Sequence, residues 1–297
     1  MIIVIGLSFL TYLLMYISPG DPALKKLNAQ GITVSEETLA EARHDMGLDK
    51  PFLVRYGQWL AGALHGDLGN SYKDGLPVAQ KLVHALRYTL ILSSASLALA
   101  LIVAVPLAVL TAVRKNGVLD YIVRFLSFIG NSMPNFLISV LLMYFLCVKL
   151  KLLPVIADES VRGLILPCLA LSIPICAQFI RQFRAEILEQ LGREYVAGAV
   201  SRGVKPSVIL FKNVLHNAAI PILTIIALSV GTLLGGSVVV ETIFRWQGLG
   251  KLVMDAITAR DYPVIQGFVI FTSCVYVLIN LLTDLCYRRL DPRIEEV

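Results

Sequence analysis

Six long apolar runs limit what this chain can fold into. MIIVIGLSFLTYLLMYI opens it. LILSSASLALALIVAVPLAVLTAV covers Leu90–Val113 and IVRFLSFIGNSMPNFLISVLLMYFLCV covers Ile122–Val148. GLILPCLALSIPICAQFI covers Gly163–Ile180, IPILTIIALSVGTLLGGSVVV Ile220–Val240, and VIQGFVIFTSCVYVLINLL Val264–Leu282. Crossing a bilayer takes about 20 apolar residues in a helix. Backbone groups in hydrocarbon must be bonded within the segment, which favours helices. The expected fold class is therefore all-α integral membrane, with about six transmembrane helices. Composition agrees: 57% of the 297 residues are hydrophobic, against about 45–50% in soluble domains, and the mean hydropathy is +0.74.

The first run lacks the basic lead and small-residue cleavage site of a signal peptide. The turn SPGDP (Ser18–Pro22) follows it instead, so it reads as a real first span. It begins without a polar lead, and the natural start is expected to differ from Met1. Lys and Arg set orientation. Arg114 and Lys115 lie between the second and third runs. Arg181, Arg184, Arg193, Arg202, Lys205 and Lys212 lie between the fourth and fifth, and Arg288, Arg289 and Arg293 in the tail. With six spans these fall on one side, so both termini are expected to be cytoplasmic. The expected organisation is a first transmembrane helix at 1–19, an extracytoplasmic cap at 20–87, and a transmembrane domain at 88–297 with a polar loop at 190–220.

In the cap, Ser35 followed by Thr38 marks a helix start and Gly47 its end. PFLVRYGQWLAGALHG reads as a second amphipathic helix entered at Pro51, with Tyr56 and Trp59 suited to a membrane interface. Leu48, Phe52, Trp59 and Leu64 are expected to be its shielded positions. Pro106, Pro134, Pro167 and Pro174 interrupt the spans, where neighbouring helices can satisfy the freed carbonyls. Gly231 and Gly235 form a G-x-x-x-G that permits close helix approach.

Enzymatic chemistry finds no constellation. GLGKL (Gly248–Leu252) only half resembles a phosphate loop: Arg245 stands where the first glycine belongs, and Leu252 replaces the magnesium-binding hydroxyl. His44, His65 and His84 read as surface residues without metal spacing, and His216 falls on the other side. Cys147, Cys168, Cys176, Cys274 and Cys286 read as small buried hydrophobes. Intramembrane acids are nearly missing; Asp284 and Arg288 make an i, i+4 anchoring pair. An ion-driven carrier needs buried acids along its path, so the energy is expected to come from a partner. A net charge of +5 gives no case for a nucleic-acid partner.

The polar stretch EYVAGAVSRGVKPSVILFKNVLHNAAIP (Glu194–Pro221) poses the sharpest question. Gln190–Gly203 can form a helix whose Ala197, Gly198, Ala199 and Ser201 offer a small-residue surface. Gly203 fits the helix end, with a positive φ, and Pro206 the first turn of the next helix. A short helix of this kind fits a groove on a partner, steered by basic neighbours.

This stretch resembles the coupling loop of bacterial ABC-importer permeases. The matching positions are Glu194, Ala197, Gly203 and Pro221, with Tyr195 where the family motif has its first alanine. SPGDPAL, GLDKPFLVRYGQWL, HGDLGNSY, SMPNF, LHNAAIP, GGSVVVETIFRWQGLG, ARDYPVIQG and DPRI recur in order in the B-type permeases of the dipeptide, oligopeptide and nickel family. The resemblance implies a type I permease fold in the bacterial inner membrane. It implies a second permease subunit as heterodimer partner, two cytoplasmic ATPase subunits that hold ATP and magnesium, and an extracytoplasmic substrate-binding protein. Glu194, Tyr195, Ala197, Gly198, Ala199, Gly203 and Pro221 would couple to the ATPase, and this chain would bind no cofactor or metal. GDPAL, YGQWL, VRFLSFIG and SMPNF look closest to nickel members, which sets a chelated nickel cargo ahead of di- or oligopeptides. A stand-alone secondary transporter is the reading from a different class. Ser132, Asn135, Ser139 and Gln178 are the candidate path-lining groups.

Overall fold

A computed structural model describes residues 2–29, 34–157 and 160–290. The described chain is helical, apart from one isolated bridge between Asn70 and Pro77. Its first helices are α1 (Ile2–Ile17), α2 (Pro22–Ala29), α3 (Glu36–Asp45) and α4 (Phe52–Leu64). Next come α5 (Val78–Val113), α6 (Val118–Ser132), and α7 (Asn135–Leu142), which continues as a π-helix over Met143–Lys149. After α8 (Val161–Leu191) and α9 (Glu194–Ser201), α10 (Pro206–Val208) runs through π-helical Ile209–Val214 into α11 (Leu215–Phe244). The chain then forms α12 (Leu249–Ala259) and α13 (Tyr262–Leu290).

Four helical stretches are long and apolar enough to cross a membrane: Val78–Val113, Val161–Leu191, Pro206–Leu233 and Tyr262–Ile279. The count reaches six if each of two bent pairs is one span. One pair, Val4–Ile17 with Pro22–Asn28, bends by 66°. The other replaces the single span expected over Ile122–Val148: Val118–Ser132 and Asn135–Lys149 meet at 104°. Pro134 causes the break. It has no N–H to continue the ladder, and it forces Met133 out of the helical region to ψ 128. Pro106, Pro167, Pro174 and Pro221 instead lie inside continuous helices.

The chain divides into two compact units. One joins residues 1–89 to Gln247–Leu278; the other comprises Leu90–Trp246 and the chain from Ile279. The start of α5 thus shares a core with the α12–α13 region: Val78, Leu82, Ala85, Leu249, Ala256 and Val264 pack together. In the second unit, Ala100, Ala104, Ala108 and Ala112 bury one small-residue stripe of α5 in the same cluster as Phe179, Phe183 and Ile187 of α8. Four-residue spacing keeps those alanines on one helix face. Their size permits close approach, the main source of attraction between helices in lipid.

The first unit is stitched by polar groups from segments far apart in sequence. Asp21 caps α2 by accepting from the Ala23 N–H at 2.9 Å, and pairs with Arg43 at 2.6 Å. Ser35 caps α3 by accepting from the Thr38 N–H, and Gly47 follows its end at φ +63. Buried Asp261 accepts from Ser71 Oγ and the Tyr72 N–H. Gln266 Nε2 donates to the Ser8 carbonyl at 2.7 Å. Gly20, at φ +113, lies under Arg260; a Cβ there would sit 2.5 Å from the guanidinium carbon. Three of the family strings, SPGDPAL, HGDLGNSY and ARDYPVIQG, therefore hold residues of this network.

Tyr56 packs within the chain. It is buried against α1, its hydroxyl 2.9 Å from Ser8 Oγ and its ring edge-on to Phe9. Within the chain Leu48, Phe52 and Trp59 are half-buried, and Leu64 is 70% exposed, which leaves the membrane surface as the cover expected for it.

Asp261→Ala is expected to lower stability by about 3 kcal/mol, because it leaves two buried donors without their charged acceptor. Asp261→Asn should cost less. Thermal unfolding of the purified protein checks this; equal midpoints for wild type and Asp261→Ala would contradict it.

Candidate functional site

The polar stretch does not form the single helix expected over Gln190–Gly203. α8 continues past Ile180 to Leu191, taking Arg181 and Arg184 into the helix. It stops at Gly192, and Arg193 turns extended (φ −75, ψ 151) to start α9 at Glu194. The far end of α9 closes as expected. Gly203 stands at φ +72. Its N–H reaches the Val200 carbonyl at 2.9 Å, and the Val204 N–H reaches Ala199 at 3.1 Å. These two bonds make a Schellman motif, satisfying carbonyls that would otherwise be left bare. Lys205 is extended before Pro206, which opens α10.

Packing fixes which face of α9 is free. Val196 and Ala199 are buried in the cluster of Ile209, Val214, Phe183 and Ile187. Ala199 therefore anchors the helix and does not belong to its outer surface. Glu194, Ala197, Val200 and Ser201 are exposed, and Gly198 is half-covered; a Cβ added there would lie 3.4 Å from the Arg202 side chain. Tyr195 is half-buried, and its hydroxyl donates to Gln190 Oε1 at 3.1 Å. Arg193 pairs with Glu189. Exposed Arg202, Lys205 and Lys212 follow. The outcome is a short rigid helix with an acid at its positive end, a small-residue outer face and a basic exit. Pro221 lies apart from this face, inside α11.

Ser132 and Asn135 flank the α6–α7 bend; Ser132 is exposed and donates to the Phe128 carbonyl at 2.8 Å. Ser139 is fully buried and returns its hydroxyl to the Asn135 carbonyl, so it faces packing in this structure. Gln178 is half-buried on α8, beside Gln182. A Cβ added at Gly235 would have no atom within 4 Å, so among the described residues no helix crosses there.

Elsewhere, the α12 N-terminus that looked like half a phosphate loop is used internally: the Leu249 N–H donates to Thr89 Oγ1 at 2.8 Å. Lys251 pairs with Asp255. His44, His65, His84 and His216 are exposed. Cys147 and Cys168 are buried and Cys176 half-buried, but Cys274 is exposed on α13. The side chains of Asp284, Cys286, Arg288 and Arg289, and residues 291–297 with Arg293 and DPRI, lie outside the described ones. Sequence reading missed one feature of the second unit. Asp120, between the second and third apolar runs, is fully buried in the first turn of α6 and pairs with Arg184 at 2.7 Å.

The pattern of binding-protein-dependent transport system inner membrane components matches residues 104–296, and that of their N-terminal region matches residues 1–93. The chain belongs to this family. It is a permease of the ABC-importer type, and its relatives match nearly end to end. A probable peptide ABC transporter permease of Sinorhizobium fredii is 40% identical over 95% of this chain and 92% of its own. The dipeptide transport system permease of Escherichia coli is 34% identical over 98% and 94%. A glutathione transport system permease of Pectobacterium atrosepticum is 38% identical over 96% and 92%. In three dimensions, a chain of the MetNI methionine ABC transporter in inward facing conformations superposes with a TM-score of 0.60. It covers 71% of this permease and 96% of that chain at 18% identity, which speaks for the fold alone. The all-helical permease fold and the multi-pass membrane location expected from the sequence hold.

Proposed function

We propose that this permease carries small peptides, and that the outer face of α9 is where it meets a cytoplasmic ATPase. The observation that carries the cargo reading is the naming of full-length relatives as peptide, dipeptide and glutathione permeases. Nickel, which the sequence strings put first, has no counterpart among those relatives. The candidate path groups Ser132, Asn135 and Gln178 are uncharged hydrogen-bonding side chains, suited to peptide amides. Uptake of labelled dipeptide and labelled nickel in a strain lacking the chain tests this. Restoration of dipeptide uptake by the returned gene is expected. Restoration of nickel uptake alone would overturn the reading.

In the proposed complex this chain pairs with a second permease, and two ATPases supply the energy from ATP. A binding protein delivers cargo to the extracytoplasmic side, where α2–α4 lie. An acid at the start of α9 gains about 0.3–1 kcal/mol from the helix dipole and is suited to meet a cation on the ATPase. The basic loops favour a cytoplasmic α9. A single cysteine at Asp74 should then react with an impermeant thiol reagent from outside, and one at Lys205 should not. The reverse labelling pattern would reject this orientation.

A further inference from the structure

A second basic site lies in the second unit, lined by residues of α6 and α8 and not by α9. Tyr121, Arg124, Phe125, Ser127, Phe128, Ile180, Arg181 and Arg184 surround a cavity of about 400 Å³ between α6 and α8. Three guanidinium groups line it, and one of them, Arg184, pairs with the Asp120 carboxylate. That carboxylate is committed to Arg184 at 2.7 Å and to the Asn116 N–H at 3.0 Å. Among the described residues, Arg124 and Arg181 have no carboxylate within 4 Å; Arg124 rests over the Tyr121 ring at 5.8 Å. The site thus keeps a net excess of positive charge. Ser127 is only 7% exposed, yet its hydroxyl has no hydrogen-bond partner, and neither has Arg184 Nε. Asp120 Oδ1, also unpaired, belongs to the same ion pair as Arg184 Nε, which leaves the Ser127 hydroxyl as the donor in the cavity lining without an acceptor, and an unmet buried donor is costly.

We infer that this cavity binds the headgroup phosphate of an anionic phospholipid. Arg181 and Arg184 follow the apolar run of α8 on the side that the basic loops mark as cytoplasmic, where basic clusters attract anionic headgroups. A phosphodiester has the oxygens for planar guanidinium groups and for the Ser127 hydroxyl. Beside the cavity, Tyr121, Phe125 and Phe128 stand at helical spacing on α6 and are 58%, 64% and 67% exposed. That aromatic ladder fits acyl chains, which a water-soluble anion would not cover. Basic pockets between transmembrane helices are known to hold anionic headgroups. The inference does not depend on which cargo the permease carries.

The test uses the purified complex of this chain with its partner subunits, titrated in mild detergent. The probes are phosphatidylglycerol and phosphatidylcholine with identical acyl chains, and the readout is the thermal unfolding midpoint. Phosphatidylglycerol is expected to raise the midpoint saturably, and phosphatidylcholine is not. In the double variant Arg124→Gln, Arg181→Gln, which spares the Asp120–Arg184 pair, apparent lipid affinity should fall on the order of tenfold. Arg124→Lys with Arg181→Lys should keep most of it. Equal responses to both lipids, or an unchanged response in the Gln variant, would overturn the site. Competition by a dipeptide would assign the cavity to cargo and overturn the lipid reading. Native mass spectrometry of the wild-type complex gives an independent answer if the variants do not fold. Phosphatidylglycerol should survive activation that strips phosphatidylcholine; equal stripping contradicts the inference.

Discussion

Gly203→Val is expected to abolish uptake while leaving the permease inserted and paired with its sister subunit. Gly203 holds φ +72 in the turn that closes α9. An L-residue with a β-branch pays about 1–2 kcal/mol in that conformation, and relaxing it would break the bonds to Val200 and Ala199. No atom lies within 4 Å of the Cβ position, so the penalty is backbone strain and not a clash inside this chain. The damage should therefore stay local. It would shift the exit of α9 and put a branched side chain on an exposed surface proposed to fit a groove. Gly203→Asn should retain part of the uptake, since Asn tolerates the left-handed region. Glu194→Ala should be milder, removing only the charge at the exposed helix start. Membrane abundance, ATPase co-purification and uptake separate the cases. Normal docking and uptake in Gly203→Val would contradict the assignment of α9, and loss of the protein from the membrane would make Gly203 a folding residue.

Asp120→Ala is expected to be the most destabilising single change in the second unit, at about 3–5 kcal/mol. The carboxylate is wholly buried, and its removal strands Arg184, whose side chain is 14% exposed, without its counter-charge. It also frees the Asn116 N–H, which holds the left-handed Asn116 turn before α6. The paired replacement Asp120→Leu with Arg184→Met should recover much of the loss, because an ion pair replaced by apolar groups of similar volume is often near neutral. Unfolding midpoints of the two single variants and the double variant form the cycle that measures this. Additive losses in the double variant would mean that the two residues do not act as a pair.

Legibility in the sequence followed the range of the interaction that fixes each feature. The helix caps were readable because Ser35 and Thr38, or Gly203 and its carbonyls, lie within one or two turns of each other. The apolar runs were readable for the same reason: each span needs only its own composition. Pro134 was visible, but its consequence was not. Pro167 and Pro174 have the same chemistry and stay inside α8, so only packing decides which proline breaks a helix. The charged contacts were out of reach. Asp120 meets Arg184 across 64 residues, and Ser71 meets Asp261 across 190. The strings SPGDPAL, HGDLGNSY and ARDYPVIQG pointed to the family, yet nothing local in them says that they share one network. On α9, small size alone could not tell Ala197, which faces out, from Ala199, which holds the helix down. That distinction comes from Val196 and Ile209 closing over one face.

The most direct test of the central claim is a cysteine at Ala197, on the exposed face of α9, crosslinked in native membranes with a short bifunctional thiol reagent. Crosslinking to the ATPase subunit is predicted, with a yield that changes when ATP is added, while a cysteine at the buried neighbour Ala199 should give none. An Ala197 cysteine that never crosslinks to the ATPase, in a complex that still transports, would contradict the account.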